Sequence, residues 1–549
     1  LLKGGRLAYN FQLILKHILA QGVAWAPQQE IVYRENFRYT YETMYRRVLR
    51  LGGALQALGV NQGARVGVIE RDSHRYLEMY FGIPGIGAIL HTINPRLSPE
   101  DAVYTATHAE DYALIFHEEF LPLAERIRAA VPSIRRYVII ADDSSEPKIK
   151  WVDKEYEEFL AGATPLSELP DLNEDILATQ SYTTGTTGLP KGVYFTQRQL
   201  TVHTITVGLT LSALANYGGL DKHDVYMPLT PMSHVHAWGL PYVATLLGLK
   251  QVYPGKYEPA TLLRLITEEK VTFSHCVTTV LQMIVTYAAT KGFDLSQWKV
   301  LIGGGRLPQG VAMDASKLGI KVFAAYGLSE TCPFATVANL KPFMEEWDQQ
   351  KQLEYAIKTG FVIPLVYVKV IDEAGNEVEH NGKAPGEIVM RAPWLTQGYY
   401  KEPELSKELW AGGWMHTKDV ANIDGYGYLQ IVDRLKDIIK SGGEWIASLE
   451  LENLLSLHEG VLETAVIGIS SQKWEERPLA IVVPRKEHKG KLTSDMLSAH
   501  LMKFVEKGVI NKWAVPDEYV FVDELPKTGV GKIDKKVLRA RYATPKPNR

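Results

Sequence analysis

Residues 182–192 read Tyr-Thr-Thr-Gly-Thr-Thr-Gly-Leu-Pro-Lys-Gly, a run with four threonines, three glycines and one lysine. Glycine allows positive φ and lets a ligand approach the backbone. Successive N–H groups in such a turn form an anion-binding concavity, to which hydroxyls and Lys191 add donors and charge. The run therefore predicts a phosphate-binding loop, with a flexible polar turn as the alternative. It is not the Walker loop, which ends in Gly-Lys-Ser/Thr, because Gly192 follows Lys191 here.

Two further motifs suit a nucleotide and its metal ion. Residues 326–331, Tyr-Gly-Leu-Ser-Glu-Thr, combine an aromatic ring, a hydroxyl and a carboxylate. Mg²⁺ prefers one or two carboxylates together with substrate phosphates. Residues 302–306, Ile-Gly-Gly-Gly-Arg, follow a predicted strand, and consecutive glycines indicate close approach of the backbone to a ligand. A helix start capped by Ser329 and a plain glycine turn are the alternatives.

Three later segments complete a pattern that extends along the chain. They are Trp-Met-His-Thr-Lys-Asp at 414–419, Asp-Arg-Leu-Lys-Asp-Ile-Ile-Lys-Ser-Gly-Gly-Glu-Trp-Ile at 433–446, and Pro-Lys-Thr-Gly-Val-Gly-Lys at 526–532. With the first loop they resemble the adenylate-forming enzymes, which include acyl-CoA synthetases, luciferases and peptide-synthetase adenylation domains. The resemblance runs from about Tyr39 to Leu538, and it is strongest to the medium- and long-chain fatty acyl-CoA synthetases.

The resemblance implies a site for ATP. The residues that it assigns to the nucleotide are Thr183, Thr184, Gly185, Thr186, Thr187, Lys191, Gly304, Gly305, Ala325, Tyr326, Ser329, Asp419, Arg434, Lys436, Lys440 and Trp445. Asp419 would accept hydrogen bonds from both ribose hydroxyls, a charge-assisted bidentate contact. The family usually has glycine where this chain has Lys418.

The resemblance also assigns the catalytic, metal and hinge residues. Lys532 would act in catalysis, since its two-glycine loop can carry a point charge to a developing oxyanion. Glu330 would hold Mg²⁺ with Thr184. Lys436 would be the hinge about which a small domain turns. That turn would present Gly442 and Gly443 to the pantetheine arm of CoA.

The acid substrate is expected at residues 231–238, Pro-Met-Ser-His-Val-His-Ala-Trp. By resemblance, His234 positions the carboxylate as a catalytic residue, while Val235, Trp238 and Gly304 contact the acyl group, with Trp238 gating an acyl tunnel. Amino-acid-activating relatives carry an aspartate in this segment, because a buried ammonium group needs a partner. None of the eight residues is acidic, which disfavours an amino acid. The family commonly has an aromatic residue at Ser233 and proline at Thr278.

Apolar runs that alternate with helical patterns predict the fold class. Strands at 64–70, 271–275 and 299–303, with helices such as 260–269 between them, indicate layered α/β structure with largely parallel sheets. Residues 366–378 and 386–392 predict a small barrel-like subdomain. After Asp433, strands at 461–469 and 479–484 and a helix at 495–507 predict a small, mobile α+β domain. The predicted division is an N-terminal domain at 1–432, a hinge linker at 433–436 and a C-terminal domain at 437–549.

The composition of the chain limits which other partners and which cellular compartment are expected. The 549 residues carry a net charge of −3, which gives no electrostatic case for nucleic acid. The only cysteines, Cys276 and Cys332, cannot form a disulfide framework, and a reducing, cytoplasmic compartment is expected. The sequence contains no run long and apolar enough to predict a transmembrane helix. Peripheral membrane contact and homodimerisation stay open.

The predicted activity is ATP-dependent ligation of a fatty acid to CoA, with Mg²⁺ as cofactor and an acyl-adenylate intermediate. An aryl-acid or short or branched-acid CoA ligase would share every nucleotide motif and differ in the acyl pocket. A fatty acyl-AMP ligase would stop at the adenylate or pass it to a carrier protein. A nucleotide sensor without activity is the non-enzymatic alternative, which the presence of the metal carboxylate, both lysines and the ribose aspartate disfavours.

Overall fold

The computed structural model describes residues 9–35, 37–142, 149–183, 189–214, 218–442, 444–471 and 473–543. The strands, in chain order, are β1 (Glu30–Tyr33), β2 (Phe37–Thr40), β3 (Arg65–Ile69), β4 (Ile89–Thr92), β5 (Ala113–His117), β6 (Arg136–Ile140), β7 (Lys154–Glu155), β8 (Leu177–Thr183), β9 (Lys191–Thr196), β10 (Val225–Leu229), β11 (Lys250–Tyr253), β12 (Phe273–Val277), β13 (Lys299–Gly303), β14 (Lys321–Tyr326), β15 (Thr336–Val337), β16 (Phe361–Val362), β17 (Tyr367–Ile371), β18 (Gly386–Arg391), β19 (Met415–Ile423), β20 (Leu429–Arg434), β21 (Ile439–Ser441), β22 (Glu444–Ile446), β23 (Val461–Ser471), β24 (Glu475–Pro484) and β25 (Glu518–Phe521).

The helical segments, in chain order, are α1 (Leu15–Trp25), α2 (Tyr41–Ala57), α3 (His74–Gly85), α4 (Pro99–Ala109), α5 (Leu121–Ala130), α6 (Tyr156–Ala161), α7 (Gln197–Ala213), α8 (Val235–Trp238), α9 (Leu240–Leu246), α10 (Pro259–Glu268), α11 (Thr278–Ala289), α12 (Gln309–Lys317), α13 (Gln349–Ala356), α14 (Pro403–Leu409), α15 (Ser448–Ser456), α16 (Ser494–Glu506) and α17 (Lys535–Tyr542). None of the helices in the described ranges is long and apolar enough to cross a membrane.

Two large sheets with helices between them form the main body. One has seven strands in the order β7-β6-β5-β3-β4-β8-β9, parallel except for the β8–β9 pair. The other has nine strands in the order β16-β15-β14-β13-β12-β10-β11-β1-β2, parallel through its centre. Every residue of α3 is buried, and this helix contacts β4 and β8 of one sheet and β1 of the other. The central strands β5 and β12 are buried along their whole length, as expected for parallel strands covered on both faces.

The direction of the nine-stranded sheet places the site. Strands β10, β12, β13 and β14 are parallel neighbours, so their carboxyl ends lie at one edge. These ends lead directly into residues 231–238, Thr278, the glycines that begin at Gly303, and Tyr326. Ligands of open α/β sheets bind outside the carboxyl ends of the strands. Motifs distant in sequence therefore meet at this edge.

Two smaller sheets follow in the chain. Strands β17-β18-β19-β20 form an antiparallel sheet where the barrel-like subdomain was expected; β17 and β20 are not paired with each other in the described part of the chain. The C-terminal sheet, β22-β21-β24-β23 with β25 beside β24, has two apolar clusters built only from residues 439–542. The predicted fold class, a large layered α/β unit followed by a small α+β unit, is confirmed.

Candidate active site

A cavity of about 950 Å³ opens where the C-terminal unit meets the carboxyl edge of the nine-stranded sheet. Most of the residues singled out from the sequence line it. They are Thr183, Lys191, His234, Trp238, Gly304, Gly305, Ala325, Tyr326, Ser329, Glu330, Asp419, Arg434, Lys436 and Lys532.

Other residues from the same set do not reach the cavity wall. Val235 is buried behind it. Lys440, Gly442 and Trp445 lie on the C-terminal sheet outside the wall, and the Trp445 side chain is 45% exposed. Thr184, Gly185, Thr186, Thr187 and Gly443 lie outside the described residues.

The two ends of the phosphate-loop motif are held in a β-hairpin. Thr183 at the end of β8 pairs with Lys191 at the start of β9. The Lys191 ammonium lies 4.9 Å from the centre of the Tyr399 ring, and the Tyr399 hydroxyl donates to Glu330 Oε1 at 2.7 Å. Lys191 of the hairpin and the Glu330 carboxylate, both expected in the nucleotide site, thus contact the same tyrosine.

Asp419 is an acidic group of the cavity with contacts to both of its oxygens. Its Oδ2 accepts from the Tyr326 hydroxyl at 2.8 Å, and its Oδ1 lies 3.5 Å from Arg434 Nε. Burial raises the pKa of Asp419, an effect that Arg434 and the Tyr326 hydrogen bond oppose. The hydrogen bond from Tyr326 thus orients the Asp419 carboxylate.

The neighbouring residue explains the family's preference for glycine. Lys418 has φ of 61°, in the left-handed region that glycine adopts without strain. Its backbone N–H donates to Glu387 Oε1 at 3.0 Å, which helps to hold this conformation. The departure from glycine therefore leaves the backbone geometry of the motif intact.

Lys532 enters the cavity from the C-terminal unit. Its loop closes on itself, since Thr528 N donates to Lys532 O at 2.7 Å and Lys532 N donates to Thr528 Oγ1 at 3.2 Å. The side chain lies against Gly304, where a Cβ would come within 2.9 Å of Lys532 Cε. Burial and, to a smaller extent, Arg434 lower the pKa of Lys532 to about 8. Gly304 has φ of 78°, a conformation that favours glycine, and its lack of a side chain leaves room for the lysine.

His234 lies just before an unusual turn, and Trp238 lies within it. In α8 and the following Gly239, five consecutive residues have φ between 42° and 73°, a left-handed turn that costs roughly 1–2 kcal/mol for each non-glycine residue. Burial lowers the pKa of His234 to about 3, so its imidazole is neutral at physiological pH. Trp238 is buried and packs on Gly303, where a Cβ would lie 2.8 Å from the indole.

The acidic groups of the cavity suit a Mg²⁺ ion that is also bound by phosphate. The described ranges contain no group of three or more His, Cys, Asp or Glu residues able to hold a metal ion. Mg²⁺ does not need such a group, because it commonly takes one carboxylate and completes its octahedron with phosphate oxygens and water. Glu330, on the cavity wall beside the ends of the phosphate-loop hairpin, fits that requirement.

Tyr399 and Gln282 are among the residues of the wall that sequence reasoning missed. Tyr399 had no local signal, because its partner Glu330 lies 69 residues away. Gln282 lines the cavity one helical turn after Thr278 on α11. Polar residues at positions i and i+4 of an otherwise apolar helix would have indicated this face. Thr278 itself occupies the first helical position of α11, where the proline common in the family is favoured.

Comparison with known proteins gives the same assignment along the whole chain. Residues 19–400 match the family model described as AMP-binding enzyme, and residues 450–532 match the AMP-binding enzyme C-terminal domain. The long-chain-fatty-acid–CoA ligase of Thermus thermophilus is 41% identical over 97% of this chain and 96% of its own length. The 3-methylmercaptopropionyl-CoA ligase of Ruegeria pomeroyi is 37% identical over 90% of each chain. The crystal structure of the anthranilate CoA ligase AuaEII has a TM-score of 0.84 at 23% identity, covering 97% of this chain and 98% of that chain, a likeness that concerns the fold.

The fold and the cavity define a nucleotide-using enzyme in which a C-terminal lysine reaches a site at the edge of a large α/β unit. The chain belongs to the AMP-binding enzyme family of the adenylate-forming superfamily.

Proposed function

We propose that this protein is an ATP-dependent fatty acid–CoA ligase that acts through an acyl-adenylate. The observation that carries the proposal is the position of Lys532, which the C-terminal unit inserts against Gly304 in the cavity that also holds His234 and Asp419. The substrate class is supported by residues 231–238, which offer no carboxylate to an ammonium group, and by the related long-chain ligase.

In the first half-reaction, a carboxylate oxygen of the acid attacks the α-phosphorus of ATP. The bond to the pyrophosphate oxygen breaks and its electron pair leaves with pyrophosphate. Lys191 and the rest of the phosphate loop are proposed to hold the departing phosphates, and Lys532 to offset charge in the transition state. Neutral His234 positions the attacking carboxylate, and Asp419 holds the ribose.

We propose Glu330, with Thr184, as the ligands of Mg²⁺. When bound, the ion would neutralise phosphate charge during the transfer. The Tyr399 hydroxyl orients the Glu330 carboxylate by donating to one of its oxygens, at 2.7 Å, and leaves the other oxygen for the ion.

In the second half-reaction, the CoA sulfur attacks as a thiolate at the acyl carbon, and AMP leaves with the electron pair of the anhydride bond. We propose a domain division at 1–432, 433–436 and 437–549, with rotation about Lys436 between the two steps. Strand β20 ends at Arg434 and the C-terminal sheet starts at Ile439, so Lys436 lies in the connection. The rotation would withdraw Lys532 and bring in Gly442 and Gly443. In the present arrangement Gly442 lies outside the cavity wall, and Gly443 is outside the described residues.

The direct test is a screen for CoA-dependent AMP release over acids from acetate to palmitate, with benzoate included and thioester identified by mass. We expect the highest kcat/KM with a medium- or long-chain acid. A preference for benzoate or acetate would assign an aryl-acid or short-acid ligase instead. AMP release or adenylate accumulation without stimulation by CoA would assign an acyl-AMP ligase.

A further inference from the structure

The catalytic lysine is carried by a unit with its own core, so something must hold that unit in the orientation that delivers the lysine. The apolar clusters of residues 439–542 do not include residues of the main body. Polar contacts across the boundary between the two units can therefore contribute to holding Lys532 in position.

The nearest such contact is made by Thr279, in the first turn of α11. Its Oγ1 donates to the carbonyl of Gly531 at 2.6 Å, one residue before Lys532. Gly531 has φ of 84°, and a Cβ there would lie 3.5 Å from Thr279 Oγ1 and 3.4 Å from Val277. The hydroxyl thus fixes the backbone that precedes the lysine.

A second contact joins the ends of two helices. Helix α12 begins after Pro308, which supplies no side-chain cap, yet its first N–H groups are not left free. Gln309 N donates to Asn453 Oδ1 at 2.9 Å, and Gly310 N donates to Ser456 Oγ at 3.2 Å. Both acceptors belong to α15 of the C-terminal unit, so one unit caps a helix of the other.

The backbone of Gly310 on α12 lies in close contact with the backbone of Ser456 on α15. A Cβ at this position would lie 2.1 Å from the carbonyl oxygen of Ser456, the last residue of α15. The positive end of α12 therefore faces the negative end of α15. Ion pairs between Arg306 and Glu450, at 2.8 Å, and between Asp314 and Arg485 flank this contact.

We propose that Thr279 and the α12–α15 contact are positioning elements that hold Lys532 in the cavity for the first half-reaction only. The inference rests on the proposed function. Because every one of these contacts crosses the boundary between the two units, rotation of the C-terminal unit breaks them. Losing them should therefore weaken adenylation and spare thioester formation from an acyl-adenylate that is already made.

The first test compares Thr279→Val, which keeps the shape and loses the hydroxyl, with Thr279→Ser, which restores it. We expect Thr279→Val to slow acid-dependent ATP–pyrophosphate exchange about five- to tenfold, while CoA thioester formation from supplied acyl-adenylate stays within twofold of wild type. Thr279→Ser should recover the exchange rate. Thr290→Val, on an exposed residue at the other end of the same helix, is the matched control.

The second test is Gly310→Ala. Alanine favours helix formation, so α12 itself should not be weakened, but its Cβ cannot coexist with the docked α15. We expect a larger loss of pyrophosphate exchange than with Thr279→Val, again with thioester formation retained. Met313→Ala, on the exposed side of α12, is the control.

Three results would overturn the inference. If wild type exchanges pyrophosphate and both variants match it, the contacts do not position Lys532. Equal loss of both half-reactions in Thr279→Val would show a general structural role. If wild type shows no pyrophosphate exchange with any acid, the proposed function itself is wrong. This result differs from failure of the inference, because it is seen in wild type and does not depend on the variants.

Discussion

Lys532 places an ammonium group where burial opposes its charge, and this makes its activity depend on pH. Arg434 adds repulsion, while Asp419 and Glu330 favour the charged form. The pKa of about 8 means that the group is charged below pH 8 and neutral above it. The group that is proposed to offset transition-state charge is thus poised near the working pH.

We predict that kcat/KM for acid-dependent pyrophosphate exchange falls about tenfold per pH unit above pH 8, because only charged Lys532 is active. The profile of kcat/KM against pH should show no inflection near pH 6.5, since His234 is neutral down to about pH 3. Exchange measured from pH 6 to 10, without CoA, avoids titration of the CoA thiol. Lys532→Arg, which stays charged throughout, should lose the alkaline limb. A flat wild-type profile to pH 10 would contradict the prediction.

Single residues were predicted from the sequence where a motif fixed their register. Glu330, Asp419 and Lys532 were assigned by the resemblance of their motifs to the family, and the structure brings all three to one cavity. The departure from the family's glycine at Lys418 was seen in the sequence, whereas its left-handed φ was not predicted. Tyr399 was not predicted, because its contact with Glu330 depends on how the chain folds back and not on any local pattern.

The left-handed turn of α8 is held by hydrogen bonds to the residue just before the Ser233–His234 pair. Met232 N donates to Asp72 Oδ1 at 2.8 Å, and Met232 O accepts from the Tyr80 hydroxyl at 2.5 Å. The Tyr257 hydroxyl donates to the other oxygen of Asp72. This clamp directs His234 into the cavity, although Asp72 itself does not line it.

We predict that Asp72→Ala raises KM for the acid on the order of tenfold and changes KM for ATP little, because the Met232 N–H loses its buried acceptor. Asp72→Asn keeps an acceptor oxygen and should stay close to wild type. Initial rates against each substrate give both constants. A parallel rise in the two KM values would show that the clamp does not act through His234.

The main strands and helices could be predicted from apolar runs and their spacing. The runs at 299–303 and 479–484 fall within observed strands, and 495–507 coincides with α16 to within one residue at each end. The turn at α8 could not be predicted, since His-Val-His-Ala-Trp contains no glycine and each residue alone prefers negative φ. The four non-glycine residues of the turn, 235–238, are buried, so their conformation depends on packing against distant parts of the chain.

The molecule has a main body and a C-terminal unit with separate cores, joined at residues 435–438. The change of pattern after Asp433 predicted a boundary near this connection, whereas the contacts across it could not be predicted. The Thr279 hydroxyl meets Gly531 over 252 residues of sequence. A surface pair of this kind leaves no periodic or compositional signal in either segment.

We predict that Lys436→Pro spares adenylation and impairs thioester formation. Proline fixes φ and so restricts rotation, and the Lys436 N–H donates to no backbone carbonyl in the described part of the chain. Lys436→Ala separates loss of the charge from loss of rotation. Each half-reaction is measured alone, by pyrophosphate exchange and by thioester formation from acyl-adenylate. Equal impairment of both steps by the proline would remove the hinge role.

The central claim is that one cavity serves two chemistries, with Lys532 needed for the first. The most direct measurement is Lys532→Ala assayed for acyl-adenylate formation from acid and ATP, and separately for thioester formation from supplied acyl-adenylate and CoA. We predict loss of adenylate formation and near wild-type thioester formation. Loss of both half-reactions in a folded variant, or retention of both, would contradict it.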